Sequence, residues 1–193
     1  MPRRAVVAAL VAAAVMWGGG GSTPVDATLP GVASAGQPGQ GAVRLRTNAS
    51  LLFPMAERPR CDVLDNFGDP RSGGRTHQGS DLLATLGQPV YAVADGTLTD
   101  QWVSGNSNAT LSGSAWRLEE ADGTYYFYAH LSGFAAGLTV GSTVQRGQVI
   151  GYVGDTGNPG AGNYHLHFEV HPGGGAAVNP VPRLAMPLVC RVY

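Results

Sequence analysis

All five histidines of the chain fall between positions 77 and 171. Residues 164–170 read as a β-strand, in which successive side chains point to opposite faces. Leu166, Phe168 and Val170 then suit a core, while His165, His167 and Glu169 project together from the other face. The rise of a strand puts the Cβ atoms of His165 and His167 about 6–7 Å apart, which suits one metal ligand beside one base. The same alternation puts Tyr126, Tyr128 and His130 on one face of the preceding strand, opposite Phe127 and Ala129. His77 and Asp81 lie in Arg75-Thr76-His77-Gln78-Gly79-Ser80-Asp81, where Gly79 is expected to let the backbone turn sharply so that both side chains converge. Two imidazoles and one carboxylate give Zn²⁺ a catalytic ligand set, with the fourth tetrahedral position left to water. Ca²⁺ and Mg²⁺ would want more oxygens. The His-Glu-x-x-His helix of ordinary zinc proteases is absent, so a general base must come from elsewhere, with His130 and His165 available. Spacing alone leaves open which of the two strand histidines binds the metal.

These side chains need a rigid frame, and the composition says which kind. In 193 residues, 44% are hydrophobic, enough for a core, and 29 Gly with 13 Pro punctuate the chain with turns. Short apolar runs at 89–93, 96–103, 115–120 and 124–131 read as strands, with Asp122-Gly123 as a tight turn between the last two. Residues 140–153 hold two further short runs hinged at Arg146-Gly147. No segment sustains a helical period. The expected architecture is all-β, a mainly antiparallel sandwich or partly open barrel with long loops. The Ser/Asn/Gly-rich stretch 104–114 is either a solvated connector or a wall of a substrate groove.

Other residue types exclude whole classes of function. The chain has no Lys, which removes Schiff-base chemistry, a Walker-A phosphate loop and a Ser-x-x-Lys nucleophile. A net charge of −1 offers no basic field for nucleic acid. Arg3 and Arg4 followed by a thirteen-residue apolar run, 5–17, read as an export signal. Residues 1–27 are assigned to that signal, with cleavage as late as 35, the competing reading being an uncleaved anchor. Residues 28–50 read as a flexible linker and 51–193 as the folded domain. Export permits a disulfide between Cys61 and Cys190, which bracket the domain. A Cys nucleophile is the alternative, but neither Cys has a His near it in sequence.

Three ordered segments carry a resemblance: His77-x-x-x-Asp81, Tyr128-Ala129-His130-Leu131, and His165-Leu166-His167-Phe168-Glu169. Together with Phe67-Gly68 and Val93-Ala94-Asp95-Gly96, they closely resemble the lysostaphin-like (LytM-type) zinc metalloendopeptidases from about Phe53 to Ala185. The resemblance implies one zinc per chain held by His77, Asp81 and His167, with His130 and His165 as catalytic histidines. It implies a groove floored by an antiparallel sheet and an enzyme that cuts peptide bonds in peptidoglycan stem peptides or crosslinks. The export signal adds a secreted, cell-wall-associated location, and a monomer is expected. No nucleic-acid partner and no membrane span in the mature form are expected. Ser80 stands where an apolar residue is more common, and His171 matches no motif position and reads as structural. The alternative is a non-catalytic activator of another cell-wall hydrolase, a type that lacks one or more of these five site residues.

Overall fold

In the computed structural model, residues 51–193 are described, and the apolar runs between glycines and prolines become ten strands. The expected export signal and linker, residues 1–50, lie outside the described residues. The strands are β1 (Asp62–Leu64), β2 (Ser80–Leu83), β3 (Pro89–Tyr91), β4 (Gly96–Trp102), β5 (Ser114–Glu119), β6 (Tyr125–Phe134), β7 (Thr143–Val144), β8 (Val149–Val153), β9 (His165–His171) and β10 (Arg191–Val192). Only short 3₁₀ turns interrupt them, and no α-helix occurs among the described residues. None of the described helices is long and apolar enough to cross a membrane.

The sheet runs β10-β1-β2-β9-β6-β5-β4-β7, with β8 joining β3 to β6. Every named pairing is antiparallel except β1 with β10. The fold is therefore all-β and mainly antiparallel, as the turn-rich composition implies. Strands β1, β2 and β10 are only 3, 4 and 2 residues long, too short for an alternating pattern to mark them. Cys61 and Cys190 form a disulfide at the parallel β1–β10 edge, joining positions 129 residues apart.

Alternation along β9 sorts its side chains as expected. Leu166, Phe168 and Val170 are buried in the core against Leu82, Tyr126 and Tyr128. Burial of an aromatic such as Phe168 stabilises the domain by about 2–3 kcal/mol. Trp116 fills the same core and donates its indole N–H to the Ile150 carbonyl at 2.9 Å, so its one polar atom is satisfied. Tyr128 is fully buried and accepts a hydrogen bond from the Val93 amide at 3.0 Å. Ser80 points into this core as well, and its Oγ has no hydrogen-bond partner. That explains why an apolar side chain would suit the position.

β6 is the strand that organises the site, because it changes partner half-way. Tyr125–Ala129 pair with β9, whereas Leu131, Gly133 and Phe134 pair with β8. His130 stands at the switch and has a φ of 63°, the one positive value among the described non-glycine residues. The simple alternation that puts Tyr126, Tyr128 and His130 on one face therefore fails. Tyr126 and Tyr128 belong to the core, and the left-handed backbone at His130 turns its imidazole out to the face of Phe127 and Ala129.

Candidate metal centre and groove

Cross-strand register builds the centre. Asp81 on β2 lies directly opposite His167 on β9, and His167 lies opposite Ala129 on β6. The small Ala129 side chain leaves room beside the imidazole. His77 arrives from the loop before β2, where its amide donates to the Asp69 carbonyl and its own carbonyl accepts from the Gly68 amide, both at 2.8 Å. Gly79 is required between them, though not for a left-handed turn. A Cβ there would sit 2.3 Å from the Phe168 carbonyl oxygen, so only glycine lets this segment lie against β9.

The side chains converge. His77 Nε2 and His167 Nδ1 lie 2.8 Å apart, and each lies 3.2 Å from Asp81 Oδ1. One donor atom from each of the three residues falls within 4.8 Å of the others, a spacing that could hold a metal ion. The remaining polar atoms are held by neighbours. His77 Nδ1 donates to the Asn66 carbonyl at 2.9 Å, so Nε2 is the nitrogen turned to His167 and Asp81. Asp81 Oδ2 accepts from Asn66 Nδ2 at 2.8 Å and from the Arg71 guanidinium at 3.1 Å, so Oδ1 is the oxygen turned to the histidines. His167 Nε2 faces Glu169 Oε1 at 2.8 Å.

His130 and His165 form a second pair beside the first, their ring centroids 4.8 Å apart. Each gives its Nδ1–H to a backbone carbonyl, His130 to Thr156 and His165 to Asn163, both at 2.9 Å. A carbonyl only accepts, so the tautomer is fixed and Nε2 keeps its lone pair. His165 Nε2 lies 3.7 Å from Asp81 Oδ1, at the edge of the first cluster. Thr156 is held in turn, its hydroxyl donating to the Leu131 carbonyl at 2.8 Å and accepting from the Ser114 amide at 2.9 Å.

Electrostatics separate the two groups. Burial would raise the Asp81 carboxyl, but hydrogen bonds and charge from His167 and His77 outweigh it and hold it well below the usual carboxylate range. Burial would lower His167, yet its hydrogen bonds to Asp81 and Glu169 push it up to about 9. His130 goes the other way: burial, aided by the neighbouring His165 and His167, lowers it to about 3. Burial also lowers His165. The second pair is thus neutral at physiological pH and able to accept a proton.

Both groups line a groove of about 690 Å³ whose floor includes Phe127 and Ala129. Arg71 and Arg75 line it, and Leu111 and Ser112 bring the 104–114 loop into its lining. That loop is pinned. The Asn158 amide donates to the Leu111 carbonyl, and a Cβ on Gly157 would sit 2.4 Å from the same oxygen. The five residues expected from sequence all meet here. Asn66, Arg71 and Thr156 also serve the site, but their contacts span 10 to 26 positions and leave no local pattern to read. His171 stays outside the cluster, two residues beyond Glu169, as its lack of a motif position implies.

Comparison with known proteins agrees with this geometry. The model of peptidase family M23 matches residues 75–180, more than half of the chain. The L-Ala–D-Glu endopeptidase of Bacillus subtilis is 34% identical over 144 residues, spanning 68% of this chain and 42% of that protein. The murein hydrolase activator EnvC of Escherichia coli is 32% identical over 126 residues, 65% of this chain and 27% of that one. The chain thus spans less than half of either relative. Among solved structures, the catalytic domain of lysostaphin from Staphylococcus simulans superposes with a TM-score of 0.50 at 32% identity, covering 61% of this chain and 86% of that one. With the matched region containing all five site residues and the sheet that carries them, the chain belongs to peptidase family M23.

Proposed function

We propose that this protein is a secreted zinc endopeptidase that hydrolyses peptide bonds in peptidoglycan stem peptides or crosslinks. The observation that carries the reading is the meeting of His77 Nε2, Asp81 Oδ1 and His167 Nδ1 beside the imidazoles of His130 and His165 in one groove. Two imidazole nitrogens and one ionised carboxylate oxygen fit Zn²⁺ and leave a coordination position open. When bound there, zinc supplies Lewis acidity to a peptide carbonyl and lowers the pKa of water. The chain's own groups do the rest. His130 or His165 takes the proton of the attacking water at Nε2, and the imidazolium so formed returns it to the leaving amine. The Nδ1–H bonds to Thr156 and Asn163 keep both rings oriented for this. The export signal of residues 1–27 and the linker of 28–50 belong to the same proposal, and the Cys61–Cys190 disulfide fits an oxidising compartment.

The match to an activator supports a second reading, in which the groove binds a partner hydrolase rather than substrate. Substitution separates the roles. His77→Ala, Asp81→Ala and His167→Ala should each lose bound zinc and activity together. His130→Ala and His165→Ala should keep zinc and lose about two or more orders of magnitude in rate. Zinc retained in His167→Ala but lost in His165→Ala would overturn the ligand assignment.

A further inference from the structure

The face of β9 that bears His165 and His167 continues through Glu169 to His171, and the last two have no part in the chemistry described so far. We propose that Glu169 and His171 are positioning residues, a relay that holds His167 as an Nδ1 donor to the metal. The inference rests on the reading of His77, Asp81 and His167 as metal ligands.

The contacts form one chain. His167 turns Nδ1 toward His77 and Asp81, and its other nitrogen, Nε2, lies 2.8 Å from Glu169 Oε1. Glu169 Oε2 lies 2.7 Å from His171 Nε2, and His171 Nδ1 lies 3.0 Å from the Gly175 carbonyl. Proton counting gives each contact a direction. The carbonyl can only accept, so His171 Nδ1 carries a proton. An ionised Glu169 also only accepts, so it draws an N–H from His171 on one oxygen and from His167 on the other. The Glu169 contact keeps a proton on His167 Nε2, so that zinc would take the place of the Nδ1 proton and bind the nitrogen turned to His77 and Asp81.

The far end of the relay is packed in place. β9–β6 register sets His171 opposite Tyr125, and their rings stack at 4.1 Å with an interplanar angle of 11°. The Arg117 guanidinium lies 4.0 Å from the centre of the Tyr125 ring. His171 is 5% exposed, so its orientation is set by these neighbours rather than by solvent. A histidine that matches no catalytic position thereby gains a role through the glutamate between it and the ligand.

The test is zinc affinity of the full chain, measured by competition with a chromophoric chelator at neutral pH, with the thermal midpoint recorded without and with zinc. Glu169→Ala should weaken zinc binding by about 10- to 100-fold and shrink the zinc-induced rise in the midpoint. A purely structural glutamate would lower the metal-free midpoint and leave zinc affinity alone. Glu169→Gln keeps an acceptor for His167 but loses the charge, and should fall between the parent and Glu169→Ala. His171→Ala should weaken zinc binding less than Glu169→Ala, and the double variant should match Glu169→Ala within about twofold, because His171 acts through Glu169. A folded Glu169→Ala with parental affinity overturns the relay, as does full additivity in the double variant. If Glu169→Ala does not fold, parental affinity in Glu169→Gln overturns it instead. A parent chain that binds no zinc contradicts the ligand reading, which is a separate failure.

Discussion

The left-handed backbone at His130 can be tested without reference to the reaction. His130→Ala and His130→Gly remove the same imidazole and the same hydrogen bond to Thr156, and they differ only in a Cβ. At an ordinary strand position alanine is the more stable of the two by about 0.5–1 kcal/mol, because glycine loses more chain entropy on folding. At a φ of 63° the Cβ crowds the following carbonyl and costs about 1–2 kcal/mol. Setting about 1.5 kcal/mol of strain against about 0.7 kcal/mol of entropy leaves the glycine variant about 0.8 kcal/mol more stable. In a domain of this size that is about 2–3 °C in midpoint. Urea unfolding followed by tryptophan fluorescence in the presence of a chelator gives the difference directly. Both variants should be inactive, so the order of stability reports the backbone alone. An alanine variant equal to or more stable than the glycine variant would refute the left-handed conformation, and with it the account of how His130 leaves the core face of β6.

Other consequences follow from the disulfide and from the proton on His167. Cys61–Cys190 closes a loop of 129 positions, and chain-entropy reasoning puts its benefit at about 5 kcal/mol before native-state terms reduce it. Replacing both cysteines with Ser should lower the midpoint by at least about 5 °C while leaving low-temperature hydrolysis near normal. An unchanged midpoint, or loss of turnover in a folded double variant, would refute this. In the metal-free protein His167 is pushed up to about 9, so at neutral pH zinc must displace its proton. Zinc affinity should therefore rise by up to about tenfold per unit between pH 7 and 9 and level off above. Calorimetry in two buffers of different ionisation enthalpy should register about one proton released, and none released would contradict the coupling.

Much of the site is legible in the sequence because strand alternation is a local rule. His165, His167 and Glu169 on one face of β9, with Leu166, Phe168 and Val170 on the other, need no knowledge of neighbours. The same rule fails on β6, where a single positive φ at His130 and a change of partner strand reverse one side chain. The signal was the pair of buried tyrosines, whose rings belong in a core rather than beside a polar ligand set. Gly79 was readable as a necessity but not for its reason, since the Phe168 carbonyl that excludes a Cβ lies on a strand 89 residues away. The orienting contacts of Asn66 and Thr156 depend wholly on tertiary packing, so no spacing encodes them. His171 reads as structural from its position in sequence, and only its bond to Glu169 links it to the centre.

The central claim is peptide-bond hydrolysis by a zinc centre, and digestion of purified peptidoglycan tests it most directly. The full chain loaded with zinc, the same protein after chelation, and the chelated protein given zinc again are incubated with peptidoglycan of defined crosslink. New amino termini are then identified by mass spectrometry. The account predicts new peptide termini with the zinc-loaded protein, none after chelation, and their return when zinc is restored. Cleavage that survives chelation would contradict the metal mechanism. Tight zinc binding with no new termini, together with stimulation of a separate cell-wall hydrolase, would show the chain to be an activator instead.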